Sequence, residues 1–208
     1  MILFSQRHSP FARKVEVALL ETGFAKIEVR HLADHVRQGD EAAYEENPLN
    51  TAPLLILDDG RGVFDSAEIC FYINEFSRGA LIPKDSGERE AVLTLQHLAT
   101  GLCELGADLR WEVQQNALGI SVPGLRDDLI SQLGAAYDIL EHGPPMARPP
   151  GDEVADIGTI ALATALDWLT FRGLDRYLPP HPNLDWWVDG FRERPSMAAT
   201  EYEDLSEL

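Results

Sequence analysis

A chain of 208 residues is long enough to bury about 70 % of the surface of its unfolded form in one large or two small domains. Apolar residues make up 45 % and charged residues 25 %, which excludes both a disordered chain and a membrane-spanning one. A net charge of -18, from 17 Lys and Arg against 35 Asp and Glu, repels phosphate backbones and argues against nucleic acid as a partner. Two cysteines, Cys70 and Cys103, with no CxxC pair and no Cys/His cluster, offer neither a disulfide framework nor a metal site.

Up to about Phe76 the chain alternates short apolar runs with helical patterns, the mark of strands connected by helices. Ile2-Leu3-Phe4 reads as a buried strand. From Pro10, residues Phe11, Val15, Ala18 and Leu19 recur at helical spacing, and Gly23 stands where a C-terminal cap belongs. Ile27 to Leu32 alternates as a second strand, Asp40 to Asn47 suits a short polar helix, and Pro53 to Leu57 forms a third strand. Asp58-Asp59-Gly60-Arg61-Gly62 is a hairpin turn returning the chain through Val63-Phe64, and Asp65-Ser66-Ala67-Glu68 has the form of a capping box opening a helix to Phe76.

Composition shifts over residues 79–87, a polar and aperiodic stretch with Pro83 that reads as a linker. No strand signal follows it. Glu88 to Ala117 and Pro123 to His142 read as long helices, Asn183 to Phe191 and Ser196 to Tyr202 as shorter ones. The run from Ile157 is apolar on every side and belongs inside a helical bundle, yet it is too short for the ~20 residues that span a bilayer. The expected architecture is a βαβ-α-ββα domain at 1–78 and an all-helical domain at 88–208. The start of the chain lacks the pattern of a signal peptide, which with the sparse cysteines predicts a soluble cytoplasmic protein.

Four segments, in this order, resemble the cytosolic glutathione transferase family: Ser9-Pro10-Phe11-Ala12-Arg13-Lys14-Val15, Asn47-Pro48-Leu49-Asn50-Thr51-Ala52-Pro53, Asp65-Ser66-Ala67-Glu68-Ile69, and Ala155-Asp156-Ile157 with Leu166-Asp167-Trp168-Leu169. The resemblance implies a thioredoxin-like N-terminal domain, a helical C-terminal domain, glutathione as co-substrate without a metal, its thiol activated for attack on, or isomerisation of, a small hydrophobic electrophile, and a homodimer. Ser9, by its position in that motif, would donate a hydrogen bond to the thiolate of glutathione. By itself a Ser-Pro pair is also a sufficient helix start. Thr51, Ala52 and Pro53 would form the loop ending in a cis-proline, pairing with the cysteinyl backbone of the peptide. Asp65 and Ser66 would hold its γ-glutamyl end, where a helix N-terminus is also an anion site on physical grounds.

The chain departs from the family pattern in places. Asn50 and Thr51 stand where many relatives carry a small residue and a lysine, removing a cation from the glycyl carboxylate, for which Arg7 or His8 offers a substitute. Glu153 replaces the usual Ser or Thr before the buried helix, leaving Asp156 as the structural cap. Phe11 and Trp111 are candidates for an acceptor pocket, whereas most other tryptophans suit the core. A non-catalytic ligand- or protein-binding member of the same family is the alternative, and thiol-disulfide exchange is disfavoured because Ser9 and Ala12 occupy the places of a CxxC pair.

Overall fold

The computed structural model describes residues 1–24, 26–32, 47–77, 79–143 and 154–203. The first of these contain strands β1 (Ile2–Ser5), β2 (Glu28–His31), β3 (Leu54–Ile56) and β4 (Gly62–Val63), with helices α1 (Pro10–Thr22) and α2 (Ser66–Phe76). Helices α3 (Ser86–Ala117), α4 (Leu125–Glu141), α5 (Ile157–Phe171), α6 (Pro182–Arg192) and α7 (Pro195–Ala198) follow. The polar helix expected over Asp40 to Asn47 lies, apart from Asn47, outside the described residues, as does Glu153.

The strands form one sheet in the order β2-β1-β3-β4. β1 runs parallel to β2, with Leu3 opposite Val29, and antiparallel to β3, with Phe4 opposite Leu54; β4 returns along β3 with Val63 opposite Leu55. Strand alternation divides the apolar residues between two faces. Leu3 and Leu55 join the main core with Val15, Ile69 and the helical bundle, while Phe4, Leu32 and Leu54 pack together on the other face. This α/β unit followed by helices is what the strand and helix patterns predict, and its topology is the thioredoxin-like one that the resemblance implies.

α1 begins and ends where its sequence signals lie. Ser9 is its N-cap, Pro10 its first residue, and Gly23 closes it at φ 62°, a left-handed conformation that only glycine adopts without strain. α3 opens at Ser86, two residues earlier than its periodicity suggests, because Asp85 Oδ1 accepts the N–H groups of Gly87 and Glu88 at 3.0 Å. Composition alone also misleads about the stretch before it. Leu81 and Ile82 are buried, their N–H groups donating to Asn74 Oδ1 at 3.1 and 3.0 Å, and the Leu81 carbonyl accepts from Ile157 N–H at 3.0 Å. The connection is thereby pinned to α2 on one side and α5 on the other.

α5 is the centre of the helical half and is buried on nearly all sides. Asp156 is its N-cap: Oδ1 accepts from Thr159 N–H at 2.9 Å and Oδ2 from the Thr159 hydroxyl at 2.8 Å. The carboxylate points forward into the first turn, where free N–H groups need an acceptor; a bond back to Glu153 N–H lies outside the described residues. Gly158 lies so close to α3 that a Cβ there would sit 2.5 Å from the Val92 carbonyl oxygen.

Candidate functional site

One end of the sheet gathers the four predicted segments' first three. There β1 finishes at Ser5 and leads through a short turn to Ser9, β3 starts at Leu54 directly after Pro53, and β4 finishes at Val63 just before Asp65 and Ser66. Two helix N-termini, those of α1 and α2, therefore open at this end, each with unpaired amides and the positive end of a helix dipole.

At the mouth of α1, Ser9 is extended (φ -94°, ψ 123°) and buried. Its Oγ accepts a long bond, 3.3 Å, from Ala12 N–H, its carbonyl accepts from Arg13 N–H at 3.0 Å, and its own N–H donates to the Gln6 carbonyl at 3.1 Å. An oxygen that accepts from the backbone keeps its hydroxyl proton for another acceptor. Capping and donation are thus compatible roles for the same side chain.

The adjoining loop is organised by Asn47, which is fully buried. Its Nδ2 donates to the Thr51 carbonyl at 2.9 Å and the Thr51 hydroxyl at 3.2 Å, and its Oδ1 accepts from Leu49 N–H at 3.0 Å. Asn50 takes a left-handed conformation, φ 50°, within that turn. The Ala52–Pro53 bond is cis. Among the described residues neither the N–H nor the C=O of Ala52 makes a hydrogen bond, so both are available to an extended peptide. Asn47 is the organising residue that motif reading passed over; its signal is an Asn-Pro pair, which favours side-chain bonds to the neighbouring backbone.

At the mouth of α2, Asp65 is exposed and caps the helix, Oδ1 accepting from Ala67 N–H at 2.8 Å, while Ser66 is buried. Asp65 combines a solvent-facing carboxylate with a helix start that favours anions. Lys14 of α1 is a further cation: 3 % exposed, it makes no hydrogen bond or ion pair among the described residues, and its charge acts on both Cys70 and Cys103. Cys70 lies one turn beyond Ser66 on α2. Arg7, offered above as a substitute cation, is instead paired with Glu203.

The protein's own thiols are poor nucleophiles. Burial pushes the Cys70 thiol up to about 11 and that of Cys103 up to about 12, against the smaller opposing pull of Lys14. Of the acceptor-pocket candidates, Phe11 is half-buried against the main core and Trp111 is 53 % exposed on α3; no ring contact among the described residues joins them. Trp168 and Trp187 are core, whereas Trp186 is 63 % exposed.

Residues 3–79 match the family profile of the glutathione S-transferase N-terminal domain. Over 206 residues, 97 % of this chain and 98 % of the other, the sequence is 29 % identical to YibF of Escherichia coli K12, described as an uncharacterized GST-like protein. Two crystal structures of a glutathione transferase family member from Pseudomonas fluorescens Pf-5 are similar along the whole chain. The one with bound glutathione has a TM-score of 0.84 at 32 % identity, covering 98 % of this chain and 99 % of that one. The one with bound S-(propanoic acid)-glutathione has a TM-score of 0.80 at 30 % identity, covering 98 % and 97 %.

Proposed function

The chain belongs to the glutathione transferase family, and we propose that it binds glutathione across the mouths of α1 and α2 and activates its thiol for attack on a small apolar electrophile. The observation that carries this reading is the convergence of three unused groups at one sheet end: the Ser9 hydroxyl proton, the free backbone pair of Ala52, and the mouth of α2 with Asp65 and Ser66. Ala52 pairs with the cysteinyl backbone, the γ-glutamyl carboxylate lies at the α2 amides beside Ser66, and Asp65 takes the ammonium. Ser9 then donates to the thiolate. A free thiol titrates near 8.5, and lowering that by one to two units makes the thiolate a major species at neutral pH.

The electrophile adds at the sulfur of the ligand, with no covalent step on the protein. Thr51, where a lysine is usual, favours a second reading in which glutathione or another ligand is held without turnover. The same family membership supports a homodimer in the cytoplasm, and light scattering at 23.1 kDa in micromolar solution would refute the dimer. No described helix is long and apolar enough to cross a membrane.

Ser9→Ala and Ser9→Cys test the mechanism together. Ser9→Ala should keep glutathione affinity while raising the bound thiol's pKa and slowing conjugation at neutral pH about tenfold per unit. Ser9→Cys places an acidified thiol at a helix N-terminus, which should attack glutathione disulfide to give a protein–glutathione mixed disulfide with release of one glutathione thiolate, in place of conjugation. Ser9→Ala conjugating as fast as the parent at every pH would reduce Ser9 to a helix cap. Tight glutathione binding with no conjugation of any electrophile tried would favour the second reading.

A further inference from the structure

The turn that carries Ser9 is held from outside its own domain. The Arg7 carbonyl accepts from Glu203 N–H at 3.3 Å, and the Arg7 side chain pairs with the Glu203 carboxylate. The carbonyl of His8 accepts from Trp168 Nε1 of α5 at 3.0 Å. One turn beyond Ser9, Arg13 is 3 % exposed, and all three nitrogens of its guanidinium are engaged by the helical half. Nε donates to Thr200 Oγ1 at 3.3 Å, Nη2 to the Met197 carbonyl at 3.1 Å, and Nη1 pairs with Asp167 of α5. Its Cζ lies 4.2 Å from the centroid of the Tyr202 ring, whose hydroxyl donates to the Thr164 carbonyl at 2.8 Å. Asp167 is itself steadied by Arg192 Nε at 2.6 Å.

We propose that Asp167 and Trp168 of α5, with the strap Met197–Glu203, form a clamp that sets the position of Ser9 through Arg13, so that thiol activation belongs to both halves of the chain. The inference rests on Ser9 being the thiol donor. The link from clamp to Ser9 is short: Arg13 N–H donates to the Ser9 carbonyl in the first helical bond of α1, and the residue before Ser9 is fixed by Trp168. Stability alone does not call for such a device, since a buried ion pair is often replaced by apolar residues without loss. What a planar fork with several donors adds is orientation. A donor displaced by about 1 Å loses much of its effect on a reacting atom, which gives a positioning residue its influence.

Arg13→Lys retains a charge for Asp167 but not the simultaneous bonds to Thr200 and Met197, and Tyr202→Leu removes the stack from the strap side with Arg13 intact. For each variant and the parent, the ultraviolet absorbance of the thiolate of bound glutathione is titrated against pH, alongside conjugation of a chloronitrobenzene. The clamp predicts glutathione affinity within about threefold of the parent and a bound-thiol pKa raised by half to one unit, hence about 3- to 10-fold less thiolate at neutral pH. The rate should fall in kcat by the same factor, with KM for glutathione nearly unchanged, and should converge with the parent at alkaline pH. Titrations of Arg13→Lys and Tyr202→Leu that superimpose on the parent, while Ser9→Ala shifts, overturn the clamp and leave Ser9 in its role. If Ser9→Ala does not shift either, or if the parent binds no glutathione, the reading of Ser9 fails and the clamp with it.

Discussion

Gly158→Ala sets two effects of opposite sign against each other. In a helix interior alanine is favoured over glycine by up to about 1 kcal/mol, and less in the first turn where Gly158 lies, so propensity alone predicts a protein at least as stable as the parent. At Gly158 the added Cβ would stand 2.5 Å from the Val92 carbonyl oxygen, 3.1 Å from Leu95 Cβ and 3.2 Å from Asp156 Oδ1. Ordinary contact begins near 3.4 Å, so α5 must move from α3 by roughly 0.9 Å at that point, and the obstructing atom is backbone rather than the end of a flexible side chain. Overpacking of this kind costs about 1–3 kcal/mol, and the shift also disturbs the Asp156 cap. With a urea slope of about 3 kcal/mol/M, the denaturation midpoint should fall by roughly 0.3–1 M. Gly101→Ala, on α3 with nothing within 4 Å of the added Cβ, is the control and should be neutral or stabilising. A midpoint for Gly158→Ala equal to or above the parent's would refute the close approach of α3 and α5 as described.

Asp156→Ala should lower stability by about 0.5–2 kcal/mol, since it unpairs both the Thr159 N–H and the Thr159 hydroxyl at the start of the most buried helix; an unchanged midpoint would show the cap to be redundant. Glu21 supplies an acid-sensitive link. Burial raises its carboxyl pKa, but donors from Arg194, Ser196 and Ala155 outweigh this and hold it below the ordinary value. A carboxylate depressed in the folded state stabilises above its unfolded pKa of about 4.3, and that contribution disappears as pH falls toward the folded value. Glu21→Gln should therefore flatten the acid limb of the stability curve below about pH 4.3, seen as melting temperatures that converge with the parent's on acidification; parallel curves would exclude the linkage. In the native protein Cys70 and Cys103 should resist thiol reagents at neutral pH and react only on unfolding, which a timed thiol titration would check.

Local physical rules made much of this protein legible. The period of the apolar residues located the sheet and the long helices, and the Ser-Pro start and Gly23 end of α1 depend only on backbone preferences that neighbours do not alter. The same holds for Asp65 at α2, where a short polar side chain reaches its own helix's amides. Ser9, Pro53 and Asp65 each stand just before an element and Ser66 opens one, where termini carry unpaired groups, but it was the family resemblance that singled them out as a site.

Tertiary structure decided what depends on residues far apart in the chain. The stretch before α3 reads as a polar linker, yet Leu81 and Ile82 are buried, their backbone partners supplied by Asn74 at the end of α2 and by Ile157, far along the chain. The role of Arg13 was equally hidden. Within its motif it is one basic residue next to another, and only the fold brings Asp167 and Met197–Tyr202 around one of them while leaving Lys14 buried without a described partner. Capping and periodicity act within a few residues, so sequence carries them directly. Pairing of charges and closure of cavities act through space, and the path of the whole chain determines which groups meet.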